Sequence, residues 1–108
     1  MLIYIAGPYT KGDVAANVKA AIDAADQIIE LGHTPYIPHL THFWHLVSPH
    51  PYEFWLAYDM VWLDKCDALL RLPGESSGAD KEMEHATDVM QIPIYHFISE
   101  VPKVFKFE

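Results

Sequence analysis

The chain has 108 residues and a mass of 12.3 kDa, room for one domain built around one core. Hydrophobic residues make up 51% and charged residues 20%, a balance that excludes a disordered chain. The net charge is −8, Arg71 is the one arginine and there is no basic run; this excludes the phosphate-neutralising surface that a long nucleic acid needs, though not a small nucleotide.

A lone Cys66 has no partner for an internal disulfide, so a reducing cytoplasm is the expected compartment. No signal peptide and no apolar run near 20 residues is apparent, so no membrane contact is expected. No internal repeat, low-complexity tract or linker divides the chain, and residues 1–108 read as a single domain.

Residues 2–6 are an unbroken apolar run of strand formers, which predicts a strand covered on both faces. Gly7-Pro8 ends it. Asp13 stands where an N-cap belongs, and Val14, Val18, Ala21, Ala25, Ile28 and Ile29 follow at helical spacing, with Gly32 as the C′ residue. Residues 34–37 predict a second strand, cut by Pro38. Residues 39–51 read as irregular and aromatic. A helix is expected from Pro51, a favoured first position, to about Lys65. Residues 68–72 predict a third strand and residues 73–78 a loop. Ser77 is the expected cap of a helix reaching Gln91, with Asp80 in the capping-box place. Residues 92–97 predict a fourth strand and residues 103–107 an edge fifth.

Strands alternate with helices, which implies an α/β layered domain with a four- to five-stranded parallel sheet. Ligands of such sheets sit beyond the carboxyl ends of the strands, near a topological switch point. The loops at 7–12 and 73–78 are therefore the ones to inspect.

Glu82 falls in the second turn of the helix after the second loop, and helical side chains lean toward the N-terminus. It is either a solvated helix acid or a carboxylate at the mouth of the site. Asp59 has Trp55, Leu56, Trp62 and Leu63 at i−4, i−3, i+3 and i+4. A carboxyl so ringed is either buried with a structural partner or raised in pKa for acid–base work. Tyr4, near the end of the first strand, is either a core tyrosine or the hydroxyl partner of a carboxylate. Ser76, Ser77 and Gly78 precede a helix, where they cap it, bind an anion, or both. His39, His42 and His45 recur every third residue without a recognised zinc signature. An aromatic lid or base-stacking wall is the preferred reading over a metal site. Cys66 lies in an apolar context that suits packing.

Three stretches together resemble the nucleoside 2-deoxyribosyltransferase superfamily, including 2′-deoxynucleoside 5′-phosphate N-hydrolases. They are Ile3-Tyr4-Ile5-Ala6-Gly7-Pro8-Tyr9, the run from Asp59 to Leu69, and the run from Ser76 to Ala86. The resemblance spans roughly residues 1–98 and implies a flavodoxin-like three-layer sandwich. It also implies cleavage of the N-glycosidic bond of deoxynucleosides or their 5′-monophosphates. Glu82 matches the family's nucleophile, Asp59 the acid that contacts the sugar and assists the departing base, and Tyr4 the tyrosine that holds the nucleophile. Gly7, Pro8, Tyr9, Ser76, Ser77 and Gly78 match its substrate-binding loops. Glu84 has the wrong offset from Gly78 and Ala86.

The chemistry so implied needs no metal and no organic cofactor. Its partners are a nucleoside or nucleotide and a free nucleobase. Six residues before the nucleophile, the transferases typically carry Asp and the monophosphate hydrolases Ser; this chain has Ser76. The hydrolases carry an Arg in the first loop, where this chain has Thr10-Lys11. Transferase and hydrolase thus stay open. The broad aromatic face of Phe54, Trp55, Tyr58 and Trp62 predicts a homodimer or higher oligomer. Two other classes compete: a non-catalytic nucleotide-binding or sensing module on the same fold, and a metal-dependent hydrolase using His39, His42 and His45.

Overall fold

The structure, a computed structural model, describes residues 1–104. Four strands, β1 (Leu2–Ala6), β2 (Thr34–Tyr36), β3 (Ala68–Arg71) and β4 (Ile94–Tyr95), form one parallel sheet in the order β2-β1-β3-β4. Period-two alternation divides their side chains between two cores. Ile3, Ile5, Ala68 and Leu70 meet α1 (Val14–Glu30) through Ala21, Ala24, Ala25 and Ile28. The small alanines let that helix lie close on the sheet. Tyr4, Ala6 and Leu69 face the other way, against Leu63 of α3 (Tyr52–Leu63) and Ala79 of α4 (Ser77–His85). The result is the flavodoxin-like three-layer sandwich, with four strands.

The first helix is bounded as its sequence dictates. The Asp13 side chain accepts from the Ala16 N–H at 3.2 Å, and Gly32 leaves the helix at φ +95°. The fourth strand is shorter than residues 92–97. Of the expected edge strand at 103–107, Lys103 and Val104 belong to no strand, and the rest lies outside the described residues.

Four local expectations are corrected. Residues 39–51 are largely ordered as a 3₁₀ turn (Pro38–Thr41) followed by α2 (His42–Val47). This short helix lacks a side-chain cap; Trp44 anchors it edge-on against Trp55 and Tyr58 of α3, at ring separations of 5.2 and 5.5 Å. Pro51 is the extended N-cap of α3 and not its first helical residue. Ser76, not Ser77, caps α4: its extended backbone lets Oγ accept from the Ala79 N–H at 3.1 Å. With Ser76 as the cap, Asp80 stands one residue past the capping-box place, and the Arg71 guanidinium holds its carboxylate at 2.9 Å. Beyond His85, α4 widens into a π turn (Ala86–Met90) that Gln91 closes at φ +56°.

Candidate active site

The strand order reverses between β1 and β3, and the loops that leave these two strands pack on each other. A Cβ on Gly7 would lie 2.9 Å from the Leu72 Cβ, and one on Gly74 would lie 2.7 Å from the Pro8 ring. Gly74 also has φ +113°, so only glycine fits there without strain. Asn17 of α1 ties down the first loop by donating to the Tyr9 and Lys11 carbonyls at 2.9 and 2.8 Å. Arg71, at the end of β3, ties down the second. Its guanidinium donates to the Leu72 carbonyl and, at 3.0 Å, to the Gly74 carbonyl as well as to Asp80.

Between these loops, α2 and α3 lies a cavity of about 450 Å³, at the switch point where the topology predicts a ligand. Glu82, Asp59, Gly7, Tyr9, Ser76, Ser77 and Gly78 line it. Pro8 does not; it packs behind Gly74. Tyr4 lies beneath the cavity, fully buried, and its hydroxyl donates to Glu82 Oε2. The contact follows from the fold: Tyr4 is on the sheet face that α4 covers, and Glu82 is on the stripe Ala79–Glu82–Ala86 that covers it. Glu82 is therefore 6% exposed, not a solvated helix acid.

Burial governs the electrostatics. It pushes the Glu82 carboxyl up to about 7, against the opposing pull of the Tyr4 hydroxyl and the Arg71 charge. Asp59 is raised further, to about 8, by burial first and the Glu82 charge second; the Tyr36 hydroxyl opposes the rise. Asp59 Oδ1 is sealed from solvent without a hydrogen-bond partner. Tyr36 is stacked between Tyr4 and Trp62, at 5.5 and 5.2 Å. Both carboxyls are thus held above the ordinary carboxylate range, the Glu82 charge adding to the rise of Asp59.

The three histidines go separate ways. The buried His39 donates from Nε2 to the Pro8 carbonyl at 2.9 Å, leaving Nδ1 without a partner, and burial lowers its pKa. His42 Nδ1 shares a hydrogen bond with the Tyr9 hydroxyl. His45 Nδ1 accepts from the Trp55 indole at 2.8 Å. Among the described residues, no group of three or more His, Cys, Asp or Glu side chains is disposed to hold a metal ion. Cys66 is buried, and its thiol is raised to about 11, which suits packing rather than nucleophilic attack.

Sequence reasoning missed Tyr36, Asn17 and the positioning role of Arg71. A lone arginine at a strand's carboxyl end was the available signal for Arg71, and the strand-end position of a tyrosine for Tyr36. Asn17 gave no signal, since its partners are backbone carbonyls.

Fold and cavity define an α/β domain with two interacting carboxyl groups, Glu82 buried and Asp59 half-buried, at the switch point of a parallel sheet. Residues 1–97 match the family model described as "Domain of unknown function (DUF7768)", and the chain belongs to that family. No protein of curated function matches the sequence. Among solved structures, the chain is similar to a 2-deoxyribosyltransferase from the psychrotolerant bacterium Bacillus psychrosaccharolyticus. The TM-score is 0.63 at 19% identity, over 87% of this chain and 69% of that one. The two share a fold. Among the described residues, no helix is long and apolar enough to cross a membrane.

Proposed function

We propose that this protein cleaves the N-glycosidic bond of 2′-deoxynucleosides or their 5′-monophosphates through a covalent glycosyl–Glu82 intermediate. The observation that carries the reading is the carboxyl pair itself: Glu82 and Asp59 line one cavity, interact, and are both raised in pKa, with Tyr4 bonded to Glu82. The fold shared with a 2-deoxyribosyltransferase supports it.

In the first step a Glu82 oxygen bonds to the anomeric carbon as the bond from that carbon to the base nitrogen breaks. The bonding pair leaves with the base, and Asp59 supplies the proton that neutralises it. In the second step a new base or a water attacks the same carbon. The Glu82 carboxylate is released, and Asp59 takes the proton of the incoming group. The Tyr4 hydroxyl holds the Glu82 carboxylate from beneath and favours its ionised form. Two displacements retain configuration.

Ser76, Ser77 and Gly78 at the start of α4, with Gly7 and Tyr9, form the substrate-binding wall of this reading. The exposed Phe43, Leu46 and Val47 of α2 support a homodimer or higher oligomer; a 12 kDa species by light scattering at micromolar concentration contradicts that part. The lone Cys66 supports the cytoplasm as its compartment.

The test is incubation with each deoxynucleoside and its 5′-monophosphate, with and without an acceptor base, followed by chromatography. Base exchange that depends on acceptor establishes a transferase, and base release from monophosphates alone establishes a hydrolase. Glu82→Ala abolishes either. Tight nucleotide binding without turnover replaces the reading with a binding module.

A further inference from the structure

One cavity-lining side chain is fixed in a single hydrogen-bonding state that the glycosidic chemistry leaves unused. His45 Nδ1 accepts from the Trp55 indole N–H at 2.8 Å and from the His50 backbone N–H at 3.3 Å. Both partners are donors with no lone pair to offer. The neutral ring therefore carries its proton on Nε2. That Nε2–H has no partner among the described residues. It is also not sealed from solvent, unlike His39 Nδ1 and Asp59 Oδ1. His45, a cavity-lining residue, thus carries a solvent-accessible donor whose tautomer is set by the protein.

Its place relative to the carboxyl pair gives the donor a purpose. Trp55 stands one helical turn before Asp59 on α3, so the two side chains are neighbours on one face. Both line the cavity, and His45 lies edge-to-face with Trp55 at a ring separation of 5.9 Å. In a displacement at the anomeric carbon, nucleophile and leaving group lie on opposite sides of that carbon. With Glu82 attacking and Asp59 protonating the departing base, the base extends away from Glu82. A base held beside Asp59 is beside Trp55 too, one helical turn along the same face, and His45 lies against Trp55. There it meets aromatic surface and one fixed N–H, the combination that recognises a flat heterocycle by its face and one edge.

We propose that His45 is a specificity-determining residue. It selects nucleobases that present a lone pair, a carbonyl oxygen or a ring nitrogen, on the edge remote from the glycosidic bond. Trp55 is the positioning residue that fixes its ring. The proposal rests on the glycosidic reading of the cavity. A base lacking the acceptor leaves the donor unpaired once water is displaced, so discrimination arises from the mismatch more than from the match.

The test uses the Glu82→Gln protein, which binds without turnover, titrated by calorimetry. The ligands are the four deoxynucleosides and analogues with one carbonyl oxygen or ring nitrogen replaced by C–H. With His45 intact, one such replacement weakens binding about tenfold or more. Adding His45→Ala brings the natural ligand down to the level of that analogue, and the discrimination disappears. His45→Gln, which keeps an N–H donor, restores part of it, a rescue that a merely structural role does not give. Trp55→Phe keeps an aromatic wall but removes the shorter of the two hydrogen bonds that fix the ring, leaving only the His50 N–H at 3.3 Å. It weakens the natural ligand severalfold and leaves the analogue unchanged. Equal binding of every analogue with His45 intact, or full discrimination after His45→Ala, overturns the proposal alone. Absence of any deoxynucleoside binding, together with absence of base release by the unmodified protein, overturns the glycosidic reading and the proposal with it.

Discussion

Replacing Glu82 by Gln should make the protein more stable, and by an amount that depends on pH. The carboxyl is 6% exposed and is raised from 4.5 to about 7 in the folded chain. A raised pKa means that the folded state holds the proton more tightly than the unfolded state. Glu82 therefore favours folding most below about pH 4.5, where both states are protonated, and this contribution is lost as pH rises to about 7. A shift of this size corresponds to about 3 kcal/mol, at 1.4 kcal/mol per unit. Gln keeps the shape and an acceptor for the Tyr4 hydroxyl but cannot ionise. Denaturant unfolding of both proteins from pH 4.5 to 8 should give nearly equal stabilities at the acid end. The gap in favour of Gln should open to about 3 kcal/mol near pH 7 and above. Every other titrating group is common to both proteins, so the difference isolates this site, apart from Asp59, which ionises at lower pH once the Glu82 charge is gone. Two stability curves that run parallel across this range would refute a desolvated Glu82, and with it the poised acid pair.

Other consequences follow from the same geometry. The profile of kcat/KM against pH should rise through about 7 as Glu82 ionises and fall through about 8 as Asp59 loses its proton; Asp59→Asn should remove the falling limb and cut the rate by about 10²–10⁴-fold. Tyr4→Phe should leave the ring stacked on Tyr36 but move the rising limb to higher pH, because the hydroxyl that favours the Glu82 anion is gone; an unmoved limb contradicts the bond. Ser76→Ala should lower stability by about 1 kcal/mol through loss of the α4 cap, whereas Ser77→Ala should leave it nearly unchanged in the same unfolding assay. Lys11, at the cavity, is held by the exposed Glu75 at 3.0 Å across the two loops. Glu75→Ala should free it and raise affinity for a 5′-monophosphate over the nucleoside by up to about fivefold, with the gain shrinking in high salt.

Most of the architecture is legible in the sequence because local signals and global need agree. The residues of β1 are apolar throughout because both its faces are covered, and Asp13 and Gly32 punctuate α1 where its apolar stripe begins and ends. The segment from Pro38 to Val47 is not legible, because its order is tertiary: α2 has no cap of its own, and Trp44 lodged against α3 holds it. The cap of α4 is misplaced by one residue for a similar reason. Asp80 has the spacing for a capping box with Ser77, but Arg71 reaches it from the neighbouring strand, and sequence distance hides that partner. Glu82 had a local signal: it stands in register with Ala79 and Ala86, a position in the stripe that ordinarily takes an apolar residue.

That break in the pattern is the strongest argument that the site exists for a ligand. A carboxyl in a core stripe opposes folding, and natural sequences break such rules where function requires it. Here the rule is broken on α4, and a second acid, the half-buried Asp59 of α3, is brought to the same cavity. The polar groups that attend them come from three different strands: Tyr4 from β1, Tyr36 from β2 and Arg71 from β3. None of them neutralises the pair. Tyr4 and Tyr36 are themselves raised in pKa by burial and by the acids' charges, so they stay protonated donors. Arg71 is engaged with the Leu72 and Gly74 carbonyls and with Asp80, and it favours the Glu82 anion without a hydrogen bond to it. A structural ion pair would have placed the guanidinium directly on the carboxylate and lowered its pKa. Three strands instead supply polarity that opposes the rise of both carboxyls without cancelling it, which is the environment the proposed acid–base chemistry needs.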